Sequence, residues 1–194
     1  MPRNKTFNED AVIEEAMHLF WKEGFHSTSI QDLVHHLGVN RASLYDTYGD
    51  KEGLFNKCYQ LYKSLLKSKF DELFSNTLDY KAAFNNLFQF VINEVCLSNG
   101  NRGCFISNTY SELLPSKDKD VYKILNDTRD FLTNLLKEKI ILAKEKKCIS
   151  QNTDVDKLAV SIYSSLVGIT ILSKLDVDRK ILINSLDQYL DLFN

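Results

Sequence analysis

Proline is nearly absent from this 194-residue chain, at two residues, and glycine is scarce at seven. So few breakers leave few places to end strands or tight turns, which favours long helices over a sheet and predicts an all-α fold. No apolar run approaches the roughly 20 residues needed to span a bilayer, and Met1-Pro2-Arg3-Asn4-Lys5 leads into a charged segment instead of a signal-peptide core. A cytoplasmic protein with no membrane partner is expected. Cysteine is limited to Cys58, Cys96, Cys104 and Cys148, whose spacing suits no metal site, and a reducing compartment argues against a disulfide framework. His18, His26, His35 and His36 include no HExxH spacing, and no Gly-rich phosphate loop or nucleophile elbow is present. Neither catalysis, a metal nor a cofactor is expected. A positive surplus is missing too: the net charge is −2, and Met1 to Lys57 holds six Lys/Arg against nine Asp/Glu, a net of −3. A nucleic-acid-binding unit ordinarily presents a basic footprint.

What is present is an ordinary soluble composition, 44% hydrophobic and 26% charged, on a chain long enough to bury a substantial core as one domain or two. The chain is organised around TSIQDLVHHLGVNRASLYDTYGDKEGLF, Thr28 to Phe55. Ile30, Leu33, Val34 and Leu37 recur at helical spacing as one buried face, and Gly38 follows as the residue best able to take a left-handed C-cap. Asn40 is a preferred N-cap, and no breaker follows until Gly49. Two helices joined by a short turn containing Gly form a helix-turn-helix, whose second helix enters the DNA major groove.

The wording of this stretch is more specific than its periodicity. Ser43-Leu44-Tyr45 and Tyr48-Gly49-Asp50-Lys51-Glu52-Gly53-Leu54-Phe55, with Ala16-Met17-His18-Leu19-Phe20-Trp21 and Gly24-Phe25 upstream, resemble the signature of the tetracycline-repressor (TetR) family of bacterial transcriptional regulators. The resemblance covers roughly the first quarter of the chain. Arg102-Gly103-Cys104-Phe105 through Asn108 to Glu112 is similar to the start of the effector domain in the AcrR-like subgroup. It implies a DNA-binding regulator, a repressor released from a palindromic operator by a small-molecule effector. A helix-turn-helix protein that serves as a protein-interaction module without DNA affinity is the alternative left open by the acidic first quarter.

Along the chain, about nine helices are expected. The first spans about 7 to 23, with Thr6-Phe7-Asn8-Glu9 at capping-box spacing. Thr28 or Ser29 caps the second, Asn40 the third, and Asp50 precedes a long fourth. A stripe from Phe84 to Val95 ends at the linker-like Ser98-Asn99-Gly100-Asn101. A short helix of about 105 to 114 stops at Pro115, a long one covers about 117 to 146, Thr153 or Asp154 caps the eighth, and a ninth follows Asp176 to Asp178. The expected division is a three-helix DNA-binding domain over residues 1-50 and a larger helical effector-binding and dimerisation domain over 51-194.

Site expectations follow. Arg41, Ala42, Ser43, Asp46 and Thr47 occupy the exposed side and first turn of the recognition helix, beside its cap Asn40, where base-reading groups sit. Arg41 can fork onto guanine, and Asp46 can accept from cytosine or orient Arg41. Arg3 and Lys5 can face DNA as well. The resemblance adds phosphate contacts at Thr28, Ser29, Tyr45, Tyr48 and Lys51 and a base-edge position at Gln31. Core packing is the other reading of the two tyrosines, and a solvated helix start that of Lys51. Helices eight and nine are apolar on more than one face, so part of that surface must be covered from outside the domain. The resemblance implies a homodimer seam there, assigned to Ile162, Leu166, Gly168, Ile169, Leu182, Leu186 and Tyr189; a fully internal helix pair is the alternative. Tyr62, Phe84, Phe88, Cys104, Phe105, Tyr110, Phe131 and Tyr163 are candidates to line a pocket for an apolar or aromatic effector, or to fill the core. Cys104, at a helix start after Arg102, has two readings: a thiolate-prone sensor, with Cys96 to resolve it, or a small buried hydrophobe.

Overall fold

The computed structural model describes residues 7–75, 77–97, 103–116 and 119–193. It is all-α: among the described residues the only β-type pairing is an isolated bridge between Ile149 and Phe193. The helices are α1 (Glu9–Glu23), α2 (Ile30–Leu37), α3 (Arg41–Tyr48), α4 (Lys51–Leu73), α5 (Tyr80–Phe90), α6 (Phe105–Leu113), α7 (Lys119–Glu145), α8 (Val155–Leu172), α9 (Arg179–Asn184) and α10 (Asp187–Leu190). α5 runs on as a π-helix, Val91–Leu97, and α6 as a 3₁₀ turn, Leu114–Ser116. Two compact units result, Met1–Leu66 and Lys67–Asn194, and the boundary between them falls inside α4.

Short polar side chains set the helix starts. Asn8 accepts from the Asp10 and Ala11 amides, so α1 begins at Glu9; Thr6 lies outside the described residues. Ser29, Asn40, Asp79, Asp154 and Asp178 cap α2, α3, α5, α8 and α9 in the same way. The expected ninth helix is broken into α9 and α10. Ser185 Oγ donates to the Leu182 carbonyl at 2.7 Å and Gln188 Nε2 to the Ser185 carbonyl at 2.9 Å, a local alternative to the helical ladder of the kind that Ser and Asn favour.

In the first unit an aromatic cluster forms the core. Phe20 of α1, Phe25 of the following turn and Phe55 of α4 meet with ring centroids 4.8 to 6.0 Å apart, joined by buried Met17, Leu33, Leu44 and Tyr59. Tyr62 packs edge-on against Trp21 at 5.2 Å. In the second unit α7 and α8 pack along each other. They bury Leu125, Leu132, Leu136 and Ile140 against Leu158, Ile162, Leu166 and Ile169, while α5 adds Phe84 and Phe88. Phe193 reaches Phe84 at 4.8 Å. α8 is, by length and composition alone, apolar enough to cross a membrane, with a mean hydropathy of 1.5 over its 18 residues. Its buried face is part of the core just described.

The α3–α4 junction leaves room for no side chain. A Cβ at Gly53 would lie 2.0 Å from the Tyr48 carbonyl oxygen, while the Gly53 amide donates to Asp50 Oδ1 at 2.7 Å. Alanine would gain about 1 kcal/mol of helix propensity, but a backbone overlap of that size costs about 1–3 kcal/mol or more. Gly53→Ala is therefore expected to lower the stability of the first unit, read as a fall in the urea midpoint; an unchanged or raised midpoint would mean the junction is not tight.

Candidate nucleic-acid interface

The interface is built on a turn that three local devices define. Ser29 and Asp32 form a reciprocal capping box: Ser29 N donates to Asp32 Oδ2 at 2.8 Å and Asp32 N to Ser29 Oγ at 3.2 Å. The Ser29 hydrogen bonds hold the Asp32 carboxyl below the usual carboxylate range. Gly38 ends α2 at φ 64°, in the left-handed region, and its amide donates to the Val34 carbonyl. Asn40 Oδ1 then accepts from Ser43 N at 2.8 Å and starts α3.

Of α3, Leu44 alone is fully buried, and Arg41, Ala42, Tyr45 and Asp46 are exposed. Arg41 Nη2 donates to the Tyr45 hydroxyl at 3.3 Å, and the guanidinium stands 5.5 Å from that ring. Tyr45 thus steadies Arg41, a part for which the sequence offers Asp46. Ser29, Gln31 and Asn40 are exposed as well, Ser43 and Thr47 half-buried. Arg3 and Lys5 lie outside the described residues.

Three of the expected phosphate contacts are engaged inside the protein. Thr28 is 1% exposed and its hydroxyl donates to the Gly24 carbonyl at 2.7 Å. Lys51 Nζ donates to the carbonyls of Phe25 at 3.0 Å and Thr28 at 3.1 Å and stands 4.2 Å above the Phe25 ring. Tyr48 is half-buried with its hydroxyl 3.5 Å from the Glu9 carbonyl; burial first, then the Glu9 charge, push its pKa up to about 12. Thr28 and Lys51 therefore close the turn before α2 and fasten the start of α4 to it.

The other assigned sets also divide. Tyr62, Phe84, Phe88 and Phe105 are buried in the cores, not in a pocket wall, because each is surrounded by the apolar faces of its own unit. Phe131 is half-buried and off the cleft. Only Tyr110 and Tyr163 line an open cleft of about 410 Å³, together with Leu114, Tyr122, Leu125, Asn126, Arg129, Ser164 and Val167. Of these last seven, helical spacing marks Leu125 and Val167 as apolar-face positions but none as a pocket wall, since a cleft is defined by which helices part, not by spacing on one. Cys104 is half-buried as the residue before α6, without a side-chain cap bond; Lys174 beside it bonds Asn108, and its pKa is lowered by burial. Cys58 is fully buried, its thiol pushed up to about 12 by desolvation. The Cys96 side chain lies outside the description.

Six of the seven residues assigned to a seam turn inward. Ile162, Leu166, Ile169, Leu182, Leu186 and Tyr189 are buried within the chain, and the Tyr189 hydroxyl is held by Ser161 and Ser165 at 2.8 and 2.7 Å. Exposed instead are Val160, Ile171, Leu172, Leu175, Ile181 and Leu192. Gly168 is half-exposed, and a Cβ there would meet nothing within 4 Å.

A capped two-helix turn, an outward helix face with an oriented arginine and an all-α second unit define a helix-turn-helix transcriptional regulator. Residues 12–58 match the family described as bacterial regulatory proteins, tetR family. The chain is 30% identical over 182 residues to the uncharacterized HTH-type transcriptional regulator YezE of Bacillus subtilis, covering 92% of this chain and 93% of that one. It is 28% identical to the HTH-type transcriptional repressor ComR of Escherichia coli, over 87% of this chain and 80% of that one. In fold it is similar to the TetR family regulator CifR, solved as a cysteine mutant on a 26-base-pair operator, with TM-score 0.83, 20% identity, and coverage of 99% and 100%. Reduced NemR of E. coli gives TM-score 0.85 at 16% identity over 95% and 96%. The chain belongs to the TetR family.

Lys51 gives a test that separates holding from touching. Lys51→Ala removes two charge-assisted hydrogen bonds and a cation–π contact, and is expected to destabilise the protein by about 1–3 kcal/mol. A urea titration that shows no loss beside weakened DNA binding would decide for the phosphate-contacting role of Lys51 over the structural one.

Proposed function

We propose that this regulator represses transcription by binding a palindromic operator as a homodimer and leaves it when a small-molecule effector occupies the second unit. The observation that carries the reading is the outward face of α3: Arg41, Ala42 and Asp46 exposed on a helix whose start is fixed by Asn40. Within it, Arg41 is the guanine-reading group, Ala42 the partner of a thymine methyl, and Asp46 an acceptor for cytosine. Ser29, Gln31 and Ser43 flank them, and the Tyr45 hydroxyl is within reach of phosphate. The operator complex of CifR supports the same use of the fold. A two-fold dimer places its recognition helices about 34 Å apart, one turn of B-DNA.

Support for the dimer is the apolar surface that the chain leaves uncovered on α8 and beyond it, from Val160 through Ile171, Leu172 and Leu175 to Ile181. This exposed set, with Gly168 between its members, is the seam in place of the buried residues. Effector release runs through α4, whose residues contribute to both units. Because release requires unequal affinity for two states, effector and operator weaken each other reciprocally.

Two outcomes are expected. In a gel-shift titration with the chain's own upstream DNA, Arg41→Ala relaxes specificity at one symmetric position and costs about 1–3 kcal/mol per contact; equal binding to operator and scrambled duplex by the parent would remove the reading. Gly168→Leu leaves the protomer at least as stable as before, since a Cβ there meets nothing within 4 Å and helix propensity rises. Sedimentation should nevertheless show loss of the dimer, and operator affinity should fall with it. An intact dimer would place Gly168 off the seam.

A further inference from the structure

We propose that the open cleft of the second unit takes an amphipathic anion: a flat apolar or aromatic body carrying one carboxylate-like head that pairs with Arg129. This rests on the reading that the second unit binds an effector, and it names the chemistry of that effector. The walls are Leu125, Val167 and the rings of Tyr110, Tyr122 and Tyr163, surfaces suited to a flat apolar body. The charge is confined and of one sign. Arg129 is the only charged residue in the lining, and no carboxylate lines the cleft among the described residues. The guanidinium is already fixed in orientation, Nη1 donating to Asn126 Oδ1 at 3.0 Å and Nε and Nη2 to Asp130 Oδ1 at 2.9 and 2.8 Å.

The pairing with Asp130 is one that a ligand can replace. Both partners are more than half exposed, at 52% and 58%, and adjacent in sequence, so their attraction is largely screened. An anion that also buries an apolar body draws its pairing with Arg129 partly out of water, where the same charges attract more strongly. A second polar point lies among the aromatic walls: the Tyr110 and Tyr163 hydroxyls are 2.8 Å apart, and Tyr110 donates onward toward the Leu125 carbonyl at 3.3 Å. That pair holds the two rings in register, and with them the width of the slot. A ligand cation finds no counter-charge, and a neutral body leaves Arg129 as it was. On α8, Ser164 and Val167 share one helical face with the exposed Val160 and Ile171. An occupant therefore lies beside the surface assigned to the dimer seam, where it can bias the geometry of the pair.

The test uses two probes with the same anilinonaphthalene body: the anion 1-anilinonaphthalene-8-sulfonate and neutral N-phenyl-1-naphthylamine. Both are titrated by fluorescence into the intact protein, Arg129→Gln and Val167→Trp, with thermal melts to show that each variant is folded. The anion is expected to bind at least about tenfold more tightly than the neutral probe, a difference of about 1.4 kcal/mol. Arg129→Gln should abolish that preference while leaving the neutral probe unchanged, and Val167→Trp should displace both. Equal affinities, a preference that survives Arg129→Gln, or no binding would overturn the proposal. Operator affinity is measured with and without the anion. An Arg129-dependent site that leaves operator binding untouched supports the ligand class and overturns the effector role instead.

Discussion

The recognition helix is only as well placed as the aromatic contact that seats α4. Phe55, one turn into α4, meets Phe20 edge-on at 5.2 Å and Phe25 at 4.8 Å, and Phe25 carries the Lys51 ammonium on its face. Each aromatic pair contributes about 0.5–1.5 kcal/mol beyond area burial, on top of the burial of Met17, Leu33, Leu44 and Leu54 around it. α3 is eight residues long, below the length at which a helix is stable alone, so its position is borrowed from α2, on which it packs, and from the core that α2 shares with α1. Gly53 completes the arrangement by letting the α4 backbone close on the Tyr48 carbonyl.

Charge adds a constraint that packing does not remove. The unit is acidic where DNA binding asks for the opposite, and Asp10, Glu14 and Glu15 are exposed on α1, with Glu15 3.6 Å from His36 of α2. Each phosphate neutralised adds about 0.9 to the salt slope on B-DNA, and Lys51 is already engaged with carbonyl groups. Affinity then leans on helix N-termini and on a few specific side chains, which favours selectivity over non-specific grip. An arginine whose rotamer is steadied by a neighbouring tyrosine loses less entropy on forking to guanine.

Local devices were legible from the residues, and long-range ones were not. Ser29, Gly38 and Asn40 declare the helix-turn-helix because a cap or a left-handed turn is decided within four residues. Lys51 and Thr28 read equally well as phosphate contacts until their partners, the carbonyls of Phe25 and Thr28 for Lys51 and of Gly24 for Thr28, are seen to be near. The excess apolar surface of α8 and the segment after it was legible in amount but not in direction. Ile162 and Val160 lie about 200° apart on one helix, and nothing in their chemistry says which is inward. Likewise Phe84 and Tyr110 are both aromatics at helical spacing, yet Phe84 is closed in by Phe74, Phe88 and Phe193 while Tyr110, bonded to Tyr163, lines the cleft.

The cleft also limits how an effector can act. To turn an operator-bound population over from nearly all to nearly none, a ligand must prefer the released state by about 10⁴-fold, or 5.5 kcal/mol. A single exposed ion pair to Arg129 supplies a small part of that. The greater share must come from apolar contact that exists in one state and is absent in the other, at roughly 25 cal/mol for each Å² of surface covered. Tyr122 and Leu114 are the part of the wall suited to supply it: Tyr122 is tied to α6's 3₁₀ extension by one bond, its hydroxyl donating to the Leu114 carbonyl at 3.0 Å. On the proposed reading this edge bears on α8, which lines the same cleft and carries the exposed stripe assigned to the seam.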